Sequence, residues 1–378
     1  MKPSGNYITV IVKPTDACNM RCKHCYHADS QYSSEIMPLS IFERFVQIAA
    51  QEYDYIQFIW HGGEPLLCGV DYFKEAINII HRNCNNVRYK NSIQTNGTLI
   101  NKEYIDFFIK NSFNVCVSYD GIYNSMIREK TEQVLNSLEL MEKNNLRYSL
   151  LGTIHKGNVK KQIETYLSMK RAGSFKMNPI FASGAALEND EYLISAEEYV
   201  ENFKVLFDYW MKDTDMPVHA SPMEEYLHAC TDMEGLDCIF GSCLGHWISL
   251  HANGDIYPCG RSYPKQYKYG NICDIERIED LFKSNGFILA IKESIVRRNN
   301  CQNACHYYSL CQGGCNNNAL LEKNIVNGER FMCKVIRTII PFIKTYIADY
   351  EKGNCSMTEL NPIARNIIAN HLIKKLKN

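Results

Sequence analysis

The sequence predicts an α/β fold in which an incomplete barrel of six strand–helix repeats is followed by a cysteine-rich region. From residue 7 to about 210, short β-branched or aromatic runs alternate with longer helical patterns, which is typical of βαβ units and a parallel sheet. Beyond residue 215 the pattern changes to short segments, turn residues and cysteines, as expected of a domain held by metal. We therefore expect a barrel over 1–216, a cysteine-rich domain over 217–340 and a helical tail over 341–378, with the first boundary near Pro217.

Two kinds of local pattern define the predicted elements. Candidate strands cover residues 7–13, 55–60, 90–95, 113–119, 147–154 and 175–181. Capping boxes predict helix starts at Ser40-Ile-Phe-Glu43 and Ser195-Ala-Glu-Glu198.

Polar or metal-binding motifs follow the first four predicted strands. They are the cysteines after residue 13, Gly62-Gly63-Glu64-Pro65, Gln94-Thr95-Asn96-Gly97 and Ser118-Tyr-Asp120-Gly121. Because α/β folds of this kind carry their active sites at the C-terminal strand ends, this placement predicts one shared pocket.

The overall charge argues against several classes of partner. Lys+Arg 41 against Asp+Glu 42 gives a net charge of −1 over 378 residues, so no global field favours nucleic acid or an anionic membrane. The N-terminus lacks a signal-peptide pattern, and no stretch approaches 18 consecutive apolar residues. We expect a cytoplasmic protein with no nucleic-acid or membrane partner.

The 17 cysteines suggest metal ligation, since a reducing cytosol disfavours disulfides. Cys18-x3-Cys22-x2-Cys25 supplies three thiolates without a fourth local cysteine, which suits a cubane iron–sulfur cluster with one open iron. A zinc site with His24 or His27 as fourth ligand is the alternative. Six scattered cysteines are expected to be small buried hydrophobes: Cys68, Cys84, Cys116, Cys230, Cys273 and Cys355.

A second group of cysteines lies in the C-terminal region. Its eight thiols are enough to fill two cubane clusters, or to hold two zinc ions: Cys238, Cys243, Cys259, Cys301, Cys305, Cys311, Cys315 and Cys333.

The first cysteine motif and Gly62-Gly63-Glu64-Pro65 together resemble the signature of the radical S-adenosylmethionine (SAM) enzymes, and the second cysteine group resembles their SPASM extension. The resemblance runs from near residue 8 to Cys333 and implies a partial (β/α)6 radical SAM barrel followed by a SPASM domain. It implies SAM and three [4Fe–4S] clusters as cofactors, one on Cys18, Cys22 and Cys25 that binds SAM. The two auxiliary clusters would be bound by Cys238, Cys243, Cys259 and Cys315, and by Cys301, Cys305, Cys311 and Cys333. The family usually has one residue fewer between the cysteines at 301 and 305.

The same resemblance assigns the SAM-binding residues. It places Gly62, Gly63 and Glu64 at the SAM amine, Thr95 and Asn96 at the ribose, and Ser118 and Arg128 at the ribose and carboxylate. His24 occupies a position that is often aromatic and near the adenine. From the residues alone, Gly-Gly-Glu-Pro also fits an ordinary turn and Arg128 a surface helix. Asp120 is predicted either to contact substrate as a catalytic residue or to form a routine Asp-Gly turn.

The preferred hypothesis is a peptide maturase in which a 5′-deoxyadenosyl radical abstracts hydrogen from a ribosomally made peptide, forming a thioether or carbon–carbon cross-link. Its partners would be the peptide or protein substrate and a one-electron donor such as flavodoxin or ferredoxin. The first rival is an anaerobic sulfatase-maturating enzyme that forms formylglycine. It is disfavoured because Gly260 stands where those enzymes have an acidic base. The second rival is a cluster or zinc protein without catalysis. Seventeen residues precede Cys18, so no N-terminal leader-binding domain is expected.

Overall fold

A computed structural model describes residues 6–27, 35–231, 243–323 and 328–377. The strands are β1 Tyr7–Val12, β2 Tyr55–Trp60, β3 Arg88–Thr95, β4 Asn114–Ser118, β5 Tyr148–Ile154, β6 Ser174–Pro179, β7 His219–Ser221, β8 Trp247–Leu250, β9 Asp255–Tyr257 and β10 Gly270–Asn271. The helices are α1 Leu39–Glu52, α2 Val70–Asn83, α3 Lys102–Lys110, α4 Thr131–Lys143, α5 Gln162–Met169, α6 Ala196–Lys212, α7 Met223–Thr231, α8 Ile278–Leu281, α9 Asn285–Ala304, α10 Tyr308–Cys311, α11 Asn316–Leu321, α12 Phe331–Glu351 and α13 Pro362–Lys377.

All the strands belong to one sheet with the order β10-β9-β8-β1-β2-β3-β4-β5-β6-β7. Strands β1 to β7 pair in parallel with their neighbours, β8 adds to β1 in parallel, and β9 and β10 continue the sheet in antiparallel pairing. The six predicted strands are confirmed, and with them the α/β class with a parallel sheet. Strands β7 to β10 were not predicted; each has four residues or fewer, too short to give an alternating pattern.

Alternation along β2 shows how the sheet is held. Ile56, Phe58 and Trp60 are buried, whereas the residues between them are partly exposed. The buried rings pack on Phe42 of α1, with ring centroids 5.7 Å away for Phe58 and 4.9 Å for Trp60. One face of β2 therefore belongs to the core between sheet and helices, and the other is free to line a site.

One of the two predicted helix starts is confirmed. Ser195 accepts a hydrogen bond from the backbone N–H of Glu198, and the Glu198 carboxylate accepts one from the Ser195 backbone N–H. The prediction at Ser40 is wrong, because α1 begins at Leu39, after Pro38, and Ser40 lies inside the helix. The proline fixes the chain direction at this start without a side-chain cap.

The proposed domain boundaries fall within continuous structure. Pro217 lies just before β7, which pairs with β6, and β8 on the far side pairs with β1. The second boundary, after residue 340, falls inside α12. The three-part division stays a proposal, and one sheet runs across its first boundary.

The scattered cysteines differ in exposure. Cys84 is buried as expected, but Cys273 and Cys355 are exposed, so the expectation of burial is wrong for those two. Cys68, Cys116 and Cys230 are half-buried.

No helix in the described ranges is both long and apolar enough to cross a membrane.

Candidate active site

The first cysteine motif lies in the loop that leaves the end of β1. The pKa of the Cys22 thiol is raised to about 11, chiefly by burial; Arg128 opposes this shift, and the neighbouring Cys25 and Cys18 thiols add to it. The loop is fixed at Cys25, whose N–H donates to the Cys22 carbonyl at 3.1 Å and whose carbonyl accepts from Ala185 N–H at 2.9 Å. The three thiols therefore lie close enough together to act on one another's charge.

The glycine pair after β2 brings the chain against this loop. A Cβ on Gly63 would lie 2.2 Å from the carbonyl oxygen of Ala17, and one on Gly62, with φ of +117°, 2.4 Å from that of Thr15. Gly63 N–H donates to the Thr15 carbonyl at 3.0 Å, and Glu64 N–H to the Ala17 carbonyl at 2.8 Å. The close approach that these glycines permit is thus to the protein's own cysteine loop. Their predicted place at the SAM amine stays a prediction.

Glu64 is fully buried and ties β2 to β3. Its Oε1 accepts from Thr95 Oγ1 at 2.7 Å and from Leu66 N–H at 3.0 Å, and its Oε2 accepts from Asn96 N–H at 2.7 Å. Burial raises the pKa of Glu64 to about 7, although these hydrogen bonds lower it. Glu64 therefore serves to position the segment that carries Thr95 and Asn96.

Asn96 connects this network with the cysteine loop. Its Nδ2 donates to Asn19 Oδ1 at 2.8 Å and lies 3.9 Å from Cys18 Sγ. Asn19 Nδ2 in turn donates to Thr98 Oγ1 at 2.9 Å. The predicted ribose residues and Cys18 thus meet in one polar network.

Arg128 is nearly buried and is held by Asp120. Arg128 Nε donates to Asp120 Oδ2 at 2.7 Å, and Nη2 donates to Asp120 Oδ1 at 3.2 Å and to Thr153 Oγ1 at 3.3 Å. Asp120 also accepts from Thr153 N–H at 2.6 Å and is 0% exposed. This geometry favours a positioning role for Asp120 over the predicted contact with substrate, and it removes the surface-helix alternative for Arg128.

The remaining predicted SAM residues lie on the neighbouring strands and loop. Ser118 Oγ accepts from Gln94 Nε2 at 2.8 Å. The pKa of His24 is lowered to about 3 by burial and by the Arg128 cation, and His155 adds to this shift. His24 Nδ1 has no hydrogen-bond partner in the described part of the chain. His24 therefore lies beside the Arg128–Asp120 pair as a neutral ring.

Sequence reasoning missed a row of basic groups at the ends of three adjacent strands. Val12 is paired with Trp60 and with Leu250, so the next residues on the three segments are Lys13, His61 and His251. Burial lowers the pKa of Lys13 to about 8, while the Asp16 carboxylate opposes that shift. Burial, followed by the Lys13 charge, lowers the pKa of His61 to about 4 and of His251 to about 3. The signal was present in the sequence, since Lys13 ends an otherwise apolar run.

Lys13 and His251 line a cavity of about 400 Å³ with residues of the C-terminal region, among them Asp255, Tyr257, Arg261 and Tyr263. Gly260 directly precedes Arg261 of the cavity wall, and a Cβ on Gly260 would lie 2.8 Å from Ile11 Cγ2. A side chain there would have to displace Ile11. Residue 260 supplies no acid to the site, as the sequence indicates.

The cysteines of the C-terminal region form two groups. Burial raises the pKa of Cys243 to about 12, and the Cys259 and Cys315 thiols add to the shift, so these three lie together. Cys238 lies outside the described residues. The second group is Cys301, Cys305, Cys311 and Cys333, which line one cavity of about 240 Å³. In the described ranges, no three His, Cys, Asp or Glu side chains are placed to hold a single metal ion.

Residues 12–169 match the model of the radical SAM superfamily. A cysteine-type anaerobic sulfatase-maturating enzyme of Clostridium novyi (strain NT) is 28% identical over 346 residues, which is 85% of this chain and 90% of that protein. A serine-type enzyme of Bacteroides thetaiotaomicron is 23% identical over 368 residues, covering 88% of each.

The fold also resembles a solved structure of native anSMEcpe with bound AdoMet and the Kp18Cys peptide. The TM-score is 0.79 at 23% identity, over 90% of this chain and 99% of that one. The motif match, the fold and the whole-length similarity agree. Residues 12–169 thus carry a radical SAM domain, and the chain is an enzyme similar over most of its length to the anaerobic sulfatase-maturating enzymes.

Proposed function

We propose that the chain is a peptide-modifying enzyme of the sulfatase-maturase type that oxidises a cysteine or serine side chain of a peptide or protein to an aldehyde. The observation that supports this most is similarity over 85% of the chain to a cysteine-type maturase. This is the rival of the preferred sequence-based hypothesis, and the comparisons favour it over cross-linking. For a cysteine the balanced change removes one hydrogen atom, one electron and one proton from the CH–SH unit, after which water replaces the sulfur as hydrogen sulfide.

The residues of the first site fit a SAM-binding [4Fe–4S] cluster, since Cys18, Cys22 and Cys25 converge on one loop. When bound, the cluster and SAM supply a carbon radical by one-electron cleavage. The chain's own groups would orient SAM. Asp120 holds Arg128 so that its unused N–H groups can meet a carboxylate, and Glu64 fixes Thr95 and Asn96 beside Cys18.

The two C-terminal thiol groups fit auxiliary clusters. Four thiols around one cavity match the ligand set of a [4Fe–4S] cluster, and Cys243, Cys259 and Cys315 would need Cys238 to complete theirs. We propose that clusters held by these thiols would supply electron transfer, and that a flavodoxin- or ferredoxin-like protein supplies electrons in the cytoplasm.

A second candidate is cross-linking of a ribosomally made peptide, and Gly260 is the observation that favours it. Formylglycine formation needs a base at the reacting thiol or hydroxyl. Gly260 is packed on Ile11 and carries none. The aldehyde-forming proposal therefore requires a base elsewhere. The candidates are Lys13 and His251, which line the cavity of about 400 Å³, and His61 at the adjacent strand end.

Product analysis after anaerobic reconstitution separates the two functions. The enzyme is incubated with SAM and a reductant together with a sulfatase-type cysteine peptide, its serine counterpart, or the product of the short reading frame nearest the gene. An aldehyde with release of hydrogen sulfide from the cysteine peptide supports the first function. Loss of two hydrogen atoms across two linked residues of the encoded peptide, with no aldehyde, supports the second. Failure to form 5′-deoxyadenosine with any peptide would contradict both.

A further inference from the structure

Arg330 lies against the second thiol group of the C-terminal region, beside a cavity that also includes Cys315 of the first. It is only 6% exposed, and its Nη2 lies 3.5 Å from Cys301 Sγ. It lines the cavity of Cys301, Cys305, Cys311 and Cys333, and also a smaller cavity that includes Cys315 of the other group. Arg330 thus contacts the second group and shares a cavity wall with Cys315 of the first.

Arg297 is a second buried arginine near Arg330. It is 1% exposed, its Nε donates to the Gly313 carbonyl at 3.0 Å, and its Nη2 donates to the side chain of Asn316, the residue after Cys315. Its pKa is lowered by burial and by the nearby Arg330 cation, while the thiols of Cys315 and Cys301 oppose the shift. Arg297 therefore also faces one thiol from each group.

Among the described residues, the acidic groups that line the two cavities do not cancel these two cations. Glu322 faces Arg330, and burial raises the pKa of Glu322, whose Oε2 accepts a hydrogen bond from Phe331 N–H at 2.8 Å. Glu329, which also lines the larger cavity, is paired with Arg337 at 2.7 Å, so one carboxyl, that of Glu322, faces two buried guanidinium groups and positive charge is left at the junction. The charges that would balance it are those of the thiolates.

Four thiolates around a cubane core carry net negative charge, which grows by one when the cluster accepts an electron. A fixed cation in a buried site stabilises the more negative state, because water cannot screen the interaction. Charge-assisted donation from N–H to a ligand sulfur acts in the same direction.

We propose that Arg297 and Arg330 form a buried cationic bridge between the two auxiliary clusters, which raises the reduction potentials of both and makes them acceptors for the substrate's electron. The inference rests on the proposed auxiliary clusters. The two arginines are positioning residues, since neither is required to touch the substrate.

The test is an EPR-monitored redox titration of the full-length reconstituted enzyme, with the SAM-binding cluster identified by its response to added SAM. Arg297→Gln and Arg330→Gln remove the charge, Arg297→Lys and Arg330→Lys keep it, and Arg277→Gln is the control at a guanidinium 59% exposed and paired with Glu279. We expect the Gln variants to lower the ratio of reduced to oxidised auxiliary cluster at least tenfold at fixed potential, which is 59 mV for one electron. The Lys variants and Arg277→Gln should stay near wild type.

Wild-type midpoints in Gln variants of full iron content would overturn the inference. If the Gln variants lose auxiliary iron and the Lys variants retain it, positive charge is needed to hold the clusters, which supports the bridge. Loss of iron in all four variants would overturn it and leave a packing role. A wild-type enzyme that holds only the SAM-responsive cluster would instead contradict the proposed function, before any variant is made.

Discussion

The guanidinium of Arg128 and the carboxylate of Asp120 form a two-pronged ion pair at 2.7 and 3.2 Å, almost wholly removed from solvent. A pair of this kind is costly to break, because removal of one partner leaves a buried charge uncompensated. The pair also lies beside Cys22. The Arg128 charge lowers the pKa of the Cys22 thiol, and the Asp120 charge raises it. Its integrity therefore bears on both stability and the first cluster.

Asp120→Asn should lower the free energy of unfolding by about 3–5 kcal/mol, as for other broken buried pairs. It should also weaken SAM binding by about tenfold or more, because Arg128 loses its fixed orientation. Thermal unfolding and equilibrium dialysis with SAM measure the two effects. Asp106→Asn, at an exposed pair with Lys102, is the control. If Asp120→Asn alters the KM for peptide while SAM binding is unchanged, Asp120 contacts substrate and the sequence-based prediction is right.

Gly63→Ala should prevent assembly of the first cluster. The new Cβ would meet backbone oxygens of Ala17 and Asp16 at 2.2 and 2.5 Å, and neither can move without displacing the cysteine loop. We expect loss of the SAM-responsive EPR signal while the auxiliary signals remain. Gly173→Ala, where a Cβ meets nothing within 4 Å, is the matched control. A wild-type signal in Gly63→Ala would show that the loop is not held by this contact.

Glu64 should make stability depend on pH. Its pKa is raised by burial from 4.5 to about 7, so the folded protein binds a proton that the unfolded chain releases between these values. The contribution of Glu64 to the free energy of unfolding is fully present below pH 4.5 and is lost as the pH rises through 7. The loss is roughly 3 kcal/mol, at 1.36 kcal/mol per pKa unit.

The measurement compares apo wild type with Glu64→Gln in chemical unfolding from pH 4.5 to 8. The difference between the two isolates Glu64 from the histidines that titrate in the same range. The wild type should lose stability relative to the variant across this window. A constant difference would mean that Glu64 does not change its protonation on folding in that range.

The six barrel strands and the polar strand ends were predictable because short β-branched runs and Gly-Gly or Asp-Gly turns are local signals. The helix start at Ser195 was predictable for the same reason. The start predicted at Ser40 was wrong because α1 begins one residue earlier, directly after Pro38. The Arg128–Asp120 pair could not be predicted from the sequence. The two residues are eight positions apart, and only the fold brings their side chains together. The row of Lys13, His61 and His251 depends on β8 pairing with β1, a contact across more than 230 residues.

Lys13→Met should stabilise the protein and impair its reaction. The pKa of Lys13 is lowered by burial from 10.5 to about 8, so a protonated amine is costly in the folded state. The wild type should gain stability as the pH rises from 8 to 10.5, because the unfolded chain binds more protons there. Below pH 8 the variant should be the more stable by at most about 3 kcal/mol.

The apo form of Lys13→Met is compared with apo wild type by chemical unfolding at pH 7 and 10. The cluster-loaded forms of both are then compared by their yields of 5′-deoxyadenosine and of product from the peptide. Lys110→Met, on the exposed face of α3, is the control. Buried polar groups that lower stability are retained where a functional site needs them. If Lys13→Met is more stable than wild type and loses peptide turnover tenfold or more, Lys13 takes part in the reaction. Higher stability with unchanged turnover would show that Lys13 is not the base that aldehyde formation requires. The lack of a base at Gly260 would then favour cross-linking more strongly.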